Sequence, residues 1–464
     1  MRLNAKQRAA VLPFFLLFLL IGLLSPVVDE DARAQTPRLQ GQSASAVGMG
    51  NAFTAQADDA SAVHFNPAGM TQLRGVQNVF GTSLIGGTTE YTSPTGQHVT
   101  GDRNGSVAWP PPGHIYITAN LKDLGITALG DLTAGIGLNN PFGSLTRYPN
   151  DGPFRTAVTF TTLPLLDIKP TLAYKLNEQV SIGLGADIYT FSGLFGEGQV
   201  EQRSIWPGGL GIPAGSAVEL NGTDTTAGFS VSLMYTPFRN ADGKPLANIG
   251  LVYRSQATLD LQGEFRANGA LVSNASTTLV LPQVFSAGIA VWPVRDADHE
   301  WKLELDVDYV GWKSNRNLDI HLSNGGRIPF PQNWQNAYTV MMGTEYKWLR
   351  LAAMPEWEIA LRAGYLTQQT QVPDRTFNPG IPSATNHVPS IGVGVACREA
   401  GSFLGIKCGR LGLGPLKPKL VGLDLGYQAA FYEVRTISGN QNPTVNGRYD
   451  TMIHVGAISL RFDY

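Results

Sequence analysis

Long stretches of this chain alternate strictly between apolar and polar residues, and that pattern limits the fold more than any other feature. Ile249 to Gln262 sets Ile249, Leu251, Tyr253, Ala257, Leu259 and Leu261 on one face. Gly250, Arg254, Gln256, Thr258, Asp260 and Gln262 lie on the other, with Val252 the apolar exception. Trp301 to Trp312 sets Trp301, Leu303, Leu305, Val307 and Tyr309 against Lys302, Glu304, Asp306 and Asp308. Val421 to Tyr432 repeats the pattern with Asp424 and Gln428 on its polar face. A period of two is the mark of a β-strand with two unlike sides.

A soluble sandwich would also alternate, so length and spacing must decide. These segments run for about ten to fourteen residues, where soluble strands average five or six. Aromatics gather near their ends, at Tyr309, Trp312, Tyr346, Trp348, Trp357 and Tyr365, which suits the girdles of a membrane barrel. Short turns at 175–179 and 293–300 interleave with long polar loops at about 90–113, 191–225, 266–277, 323–335 and 367–387. Outer-membrane barrels pair short periplasmic turns with long external loops in this way. Fourteen strands are expected near 76–90, 114–121, 126–139, 156–175, 180–190, 227–237, 248–264, 278–292, 301–321, 337–347, 357–366, 388–396, 420–434 and 451–464. Closing them into a barrel leaves no unpaired edge in lipid. An even count puts the segment ahead of the first strand and the C-terminus on the same, periplasmic side. The terminal Tyr464 closes an alternating strand, as in proteins read by barrel-assembly machinery.

The chain opens on an export signal. Arg2, Lys6 and Arg8 precede an apolar core from Val11 to Leu24, and Ala32-Arg33-Ala34 fits the small-x-small cleavage rule. Residues 1–34 are therefore expected to be removed, with Gln35 first in the mature chain. Charged residues are 15% of the chain, below the roughly 25% of globular domains, and glycines number 53. The net charge of −2 and the absence of basic clusters give no sign of a nucleic-acid partner. Cys397 and Cys408 are expected to form one local bridge in an oxidising compartment.

Residues 41–73, GQSASAVGMGNAFTAQADDASAVHFNPAGMTQL, are neither strand nor amphipathic helix. Small residues dominate, Asp58 and Asp59 sit mid-way, and the run closes on Asn66-Pro67-Ala68. A compact plug of small residues ahead of many strands is what a blocked barrel requires. This stretch resembles the N-terminal hatch of the FadL family, outer-membrane transporters of long-chain fatty acids and hydrocarbons. The same order is present: Gln42-Ser43-Ala44-Ser45, then Gly48-x-Gly50, the Asp-Asp pair and Asn-Pro-Ala. Further matches follow the family's order. They are Pro141-Phe142-Gly143 to Tyr148-Pro149-Asn150-Asp151, Lys169 to Glu178, Tyr253-Arg254-Ser255, Leu281-Pro282 with Tyr309-x-x-Trp312, Asn333 to Tyr338, and Pro373 with Ile381-Pro382. Two departures stand out. Ser383 occupies a place where the family usually has an acid, and the 397–419 turn is longer than usual.

The resemblance implies an all-β membrane protein, a 14-stranded antiparallel transmembrane barrel over 76–464 with a hatch at 35–75. It implies passive uptake of hydrophobic molecules in the bacterial outer membrane. The molecule would pass from apolar outer loops to a pocket above the hatch, and leave sideways near the third strand. Asn66, Pro67 and Ala68 are the expected gate. Phe53 and Phe65 are expected pocket walls, Gly48, Gly50 and Gly69 allow close packing, and Pro141, Phe142 and Gly143 mark either the exit or an ordinary strand-to-loop turn at the outer surface. The inward charges Arg254, Asp260, Lys302, Glu304, Asp306, Asp308, Arg362, Asp424 and Arg461 have two readings: a network packing the hatch, or arginines, Arg254 first, holding a fatty-acid carboxylate. The expected partners are the transported long-chain fatty acid or hydrocarbon, outer-membrane lipid and lipopolysaccharide, and barrel-assembly machinery, with the protein a monomer. No cofactor or metal is expected, and no Gly-x-Ser-x-Gly, His-Glu-x-x-His or Walker loop points to an enzyme. A general porin, which would lack a small-residue hatch, and a structural barrel, whose deletion would leave uptake unchanged, are the alternatives.

Overall fold

The computed structural model describes residues 38–101, 108–194, 197–412 and 417–464. The export signal and its cleavage site lie outside these residues.

Fourteen antiparallel strands close on themselves as the core of the main sheet. In chain order they are β1 Val76–Thr92, β2 Gly113–Asn120, β3 Leu132–Asn139, β4 Leu166–Lys175, β5 Val180–Thr190, β6 Thr226–Arg239 and β7 Pro245–Arg254. The second half comprises β8 Val284–Arg295, β9 His299–Val310, β10 Ala337–Trp348, β11 Trp357–Gln368, β12 Asn386–Arg398, β13 Leu420–Tyr432 and β14 Gly447–Asp463. The seam between β1 and β14 is paired from Gln77 with Asp463 to Thr92 with Arg448. It continues past the strand, where the Tyr464 N–H donates to the Val76 carbonyl at 2.8 Å. Two short strands, His98–Gly101 and Arg435–Ile437, extend the tops of β1 and β14.

The alternation sorts the wall as a membrane requires. Leu172, Leu184, Leu251, Leu361 and Ile391 are half or nearly half exposed on the outside. Their neighbours Lys169, Asp187, Lys302, Glu304 and Asp306 are buried inside. Aromatic rings form a chain around the outer rim, Phe229–Tyr253–Phe285–Tyr309–Tyr338, at centroid spacings of 5.9, 4.7, 6.2 and 5.4 Å. Trp301, Tyr346, Trp348 and Trp357 stand in outward register at the opposite rim. Trp312 was expected among these girdles and is not there. It is 1% exposed and packs edge-on to Trp334 at 5.2 Å.

Four expected strands prove too long. The segments 156–175, 248–264, 278–292 and 301–321 each cross from the wall into a second sheet of eight strands. That sheet runs Arg327–Ile328, Ile320–Leu322, Ala270–Leu281, Ala257–Ala267, Ala217–Gly222, Val200–Ile205, Phe160–Pro164 and Gly143–Arg147. The long external loops at 191–225, 266–277 and 323–335 thus contribute to one paired structure and are not separate irregular excursions. Alternation continues across the crossing because only the apolar face's partner changes. Leu251 and Tyr253 meet lipid, whereas Ala257, Leu259 and Leu261 enter a protein core with Phe142, Phe154 and Trp312. Asp260 therefore does not line the lumen. It is exposed on the outer sheet, where its carboxylate accepts from the Thr278 hydroxyl at 2.9 Å.

Candidate functional site

Residues 41–73 lie against the inward faces of the strands, and almost all are buried. Two short helices, α1 Ala44–Gly48 and α2 Ala62–Phe65, and a 3-10 turn Pro67–Gln72 give the segment its shape. Only small side chains fit here, because the backbone itself presses on the wall. A Cβ on Gly364 of β11 would stand 2.2 Å from the Gly50 nitrogen, and one on Gly343 of β10 would stand 2.4 Å from the Met49 oxygen. Gly343 and Gly364 face each other across neighbouring strands, as do Gly392 and Gly426. A Cβ on Gly426 would meet the Ala44 oxygen at 2.5 Å. These paired inward glycines form a belt on which the segment rests. Gly50 completes the contact from the other side, with φ +65 and the Tyr365 nitrogen 2.6 Å from where its Cβ would be.

Strand β9 supplies the polar grip. Asp306 Oδ2 accepts from the Phe53 and Thr54 N–H groups, each at 2.8 Å. Glu304 Oε1 accepts from those of Ala55 and Gln56 at 2.7 and 3.0 Å. Four consecutive backbone donors are thus held by two acids spaced two residues apart on one face. Asp308, the next inward acid, pairs with Arg38 at 2.5 Å. Lys302 pairs with Glu345 at 2.8 Å, and Arg362 bridges Glu345 and Asp424 at 2.6 Å each. Asp58 lies 3.5 Å from Lys347, and Asp59 accepts from the Ser45 hydroxyl at 2.9 Å and the Ser61 N–H at 2.8 Å. The inward charges are bound to one another or to the segment, so packing is their visible role.

Asn66 ties the segment together. Its Oδ1 accepts from Ala68 N–H at 3.1 Å and so caps the 3-10 turn, with Pro67 at the first position where no donor is needed. Its Nδ2 donates to the Thr54 carbonyl at 2.8 Å and to Leu233 of β6 at 3.3 Å.

The expected pocket residues Phe53, Phe65 and Arg254 do not line a roomy cavity. Phe53 is sealed, its ring tilted against that of Phe65 with centroids 5.2 Å apart. Phe65 and Arg254 share a space of about 20 Å³ with Arg38, His64 and Asp308, room for about one water. Arg254 is held by Asp187 at 3.2 Å and donates to the His64 carbonyl at 3.0 Å. A second cavity, about 230 Å³, is lined by Leu39, just ahead of the segment, and by Ile85, Leu366, Val388, Ala430 and Ile453 from five strands. Arg38, Gln40, Asn140, Gln368, Asn386 and Gln428 are among its polar points, and Phe142, Gly143, Ile381 and Pro382 reach it from the outer loops.

Pro141 does not interrupt the wall. Strand β3 is paired on one side through Leu138 and on the other through Asn139, and Pro141 lies beyond the ladder. Its carbonyl accepts from Leu39 N–H at 2.9 Å, Phe142 is 2% exposed, and Gly143 begins an outer-sheet strand. Next door the wall runs into a proline-rich segment, tied to β1 by Ser83 N–H to the Pro112 carbonyl at 2.9 Å and by Ala108 N–H to the Ile85 carbonyl at 2.7 Å. Strand β2 ends at Gly113 opposite Thr82, and above it the Trp109-Pro110-Pro111-Pro112 run borders the cavity beside β1. Prolines have no N–H to give a ladder. Trp109 is 79% exposed. The proline triplet was the available signal for this place, hidden in what reads as an ordinary long loop.

Cys397 and Cys408 are joined, with Cα atoms 6.1 Å apart. Among the described residues, no group of three or more His, Cys, Asp or Glu side chains is placed to hold a metal ion.

The chain resembles known proteins along most of its length. It is 22% identical over 402 residues to the long-chain fatty acid transport protein of Escherichia coli O6:H1, covering 77% of this chain and 83% of that one. A crystal structure of a Pseudomonas aeruginosa FadL homologue superimposes with TM-score 0.68 at 17% identity, over 92% of this chain and 99% of that one. The Pseudomonas putida toluene transporter TodX gives TM-score 0.62 at 14% identity, over 92% and 99%. These two likenesses show the shared fold. The model of the outer membrane protein transport protein family (OMPP1/FadL/TodX) matches residues 27–402, and with its closed fourteen-stranded barrel this chain belongs to that family of the bacterial outer membrane.

Proposed function

We propose that the protein carries hydrophobic molecules inward across the outer membrane, passively, through the cavity above residues 41–73. The observation that carries this reading is the cavity itself: about 230 Å³, lined by more apolar than polar side chains and bounded on one side by residues 38–41, which lead into the lumen-filling segment. An apolar cavity of about 150 Å³ suffices to take up benzene, so this one admits an aromatic ring or part of an acyl chain. Residues 35–75 act as the hatch, 76–464 as the wall, and Asn66-Pro67-Ala68 as the point about which the hatch shifts. The names of the relatives, a fatty acid transporter and a toluene transporter, support the same class of cargo. Exit sideways past Phe142 and Gly143, over the proline-lined rim at 110–112, keeps an apolar molecule out of water.

Labelled oleate and toluene uptake, compared in cells with and without the gene, tests the reading. Uptake of at least one should fall on deletion and return on complementation. Equal uptake of both by the two strains would refute it. Gly143→Trp gives a sharper check on the route. A Cβ there already stands 3.0 Å from Leu39 Cδ1, so an indole must enter the cavity and displace Leu39. Uptake should drop severalfold at normal surface levels, and unchanged uptake would move the route elsewhere.

A further inference from the structure

The long periplasmic excursion after β12 has a use that neither the barrel nor the transport route explains. Cys397 pairs opposite Trp357, in the outward register of β11 and β12 with Ile391 and Leu361. An outward residue should face lipid or solvent, yet Cys397 is 3% exposed, because the excursion folds over it and joins it through Cys408. The excursion is therefore tied to the outer flank of the wall, not hung beneath the lumen. It carries a small hairpin, Ser402–Phe403 with Ile406–Lys407, whose Phe403 ring lies 6.2 Å from that of Trp357.

The tip of this hairpin is the reverse of what water selects. Phe403 is 54% exposed, Leu404 87% and Ile406 52%. Leu404 takes φ +49 and Gly405 φ +82, a turn that favours Asn-Gly, so a branched apolar side chain sits at the most exposed and least comfortable position. Along the same excursion Lys407, Arg410, Lys417 and Lys419 are exposed, with Glu399 the single acid between Arg398 and Lys419. Apolar side chains flanked by cations at the rim of a lipid-facing wall match the boundary between acyl chains and anionic headgroups.

We propose that this disulfide-tied hairpin is a lipid-binding foot, inserting Phe403, Leu404 and Ile406 into the periplasmic leaflet and holding anionic phospholipid phosphates with Lys407, Arg410, Lys417 and Lys419. Its lipid surface continues the barrel's own outward face past Trp357. A photoreactive benzophenone amino acid at Leu404 tests this in the full-length protein. The protein is reconstituted in nanodiscs of phosphatidylethanolamine and phosphatidylglycerol, irradiated, and the peptide spanning 399–419 is weighed. A phospholipid adduct is expected. Lys407→Glu with Lys419→Glu should lower the phosphatidylglycerol share of that adduct by about tenfold. An unmodified peptide, or an unchanged lipid ratio in the charge variant, overturns the proposal. So does irradiation of whole cells that yields a cross-link to a periplasmic protein in place of lipid.

Discussion

Replacing Gly364 with valine should leave the barrel wall standing and drive residues 44–55 out of the lumen. The Cβ alone would stand 2.2 Å from both the Gly50 nitrogen and the Met49 carbonyl carbon. Neither is the far end of a flexible side chain, so no rotamer change relieves the clash. Overpacking by even a few carbons costs about 1–3 kcal/mol in a well-packed interior, and here the intruding group meets backbone. The wall is not the part that gives. Gly364 is paired with Gly343 on one side and Ser390 on the other, and a β-branched residue suits a strand. The variant should therefore show normal heat-modifiable mobility on a gel. Its cells should become sensitive to a large polar antibiotic such as vancomycin, with Gly364→Ala intermediate. Unchanged resistance together with unchanged uptake would show that the glycine belt does not seat the segment.

The difference between what was readable and what was not follows from how far apart the interacting residues lie. The wall was legible because each strand declares itself locally. Lys302, Glu304, Asp306 and Asp308 point inward from a period of two alone, and β9 is where that pattern puts it. The point at which a strand leaves the membrane was not legible, because Leu259 is as apolar against Phe142 as Leu251 is against lipid. The outer sheet depends on pairs such as Leu220 with Phe265, which no local pattern announces. The same holds for the site. Asn66 could be singled out from its own turn chemistry, but the cavity joins Leu39 to Ile453 and Val388, residues hundreds of positions apart. The glycine belt went unread, although its signal was present. Gly343, Gly364, Gly392 and Gly426 all stand on inward positions of their strands, and many inward glycines in one barrel call for something pressed against them.

The two acids of β9 should prove to be the grip that holds the segment in place. In Glu304→Ala with Asp306→Ala, the N–H groups of Phe53, Thr54, Ala55 and Gln56 lose their carboxylate acceptors together. A hydrogen bond to a charged partner contributes about 1.5–3 kcal/mol, and a buried donor left without one costs a similar amount. The neighbouring pairs, Arg38 with Asp308 and Lys302 with Glu345, are not touched, so the wall keeps its remaining charges matched. Hydrogen exchange in detergent should then show protection across residues 53–56 falling by about a hundredfold or more, while the strands stay as protected as before. The amide pair, Glu304→Gln with Asp306→Asn, separates charge from geometry. Each amide keeps one carbonyl oxygen able to accept from both donors, so most of the protection should return. Equal exchange in the alanine variant and the native protein would mean that the glycine belt alone holds the segment and that the acids of β9 are incidental. Loss of protection in the alanine variant but not the amide variant would place the grip in the acceptor geometry, two residues apart on one inward face. Loss in both would place it in the negative charge itself.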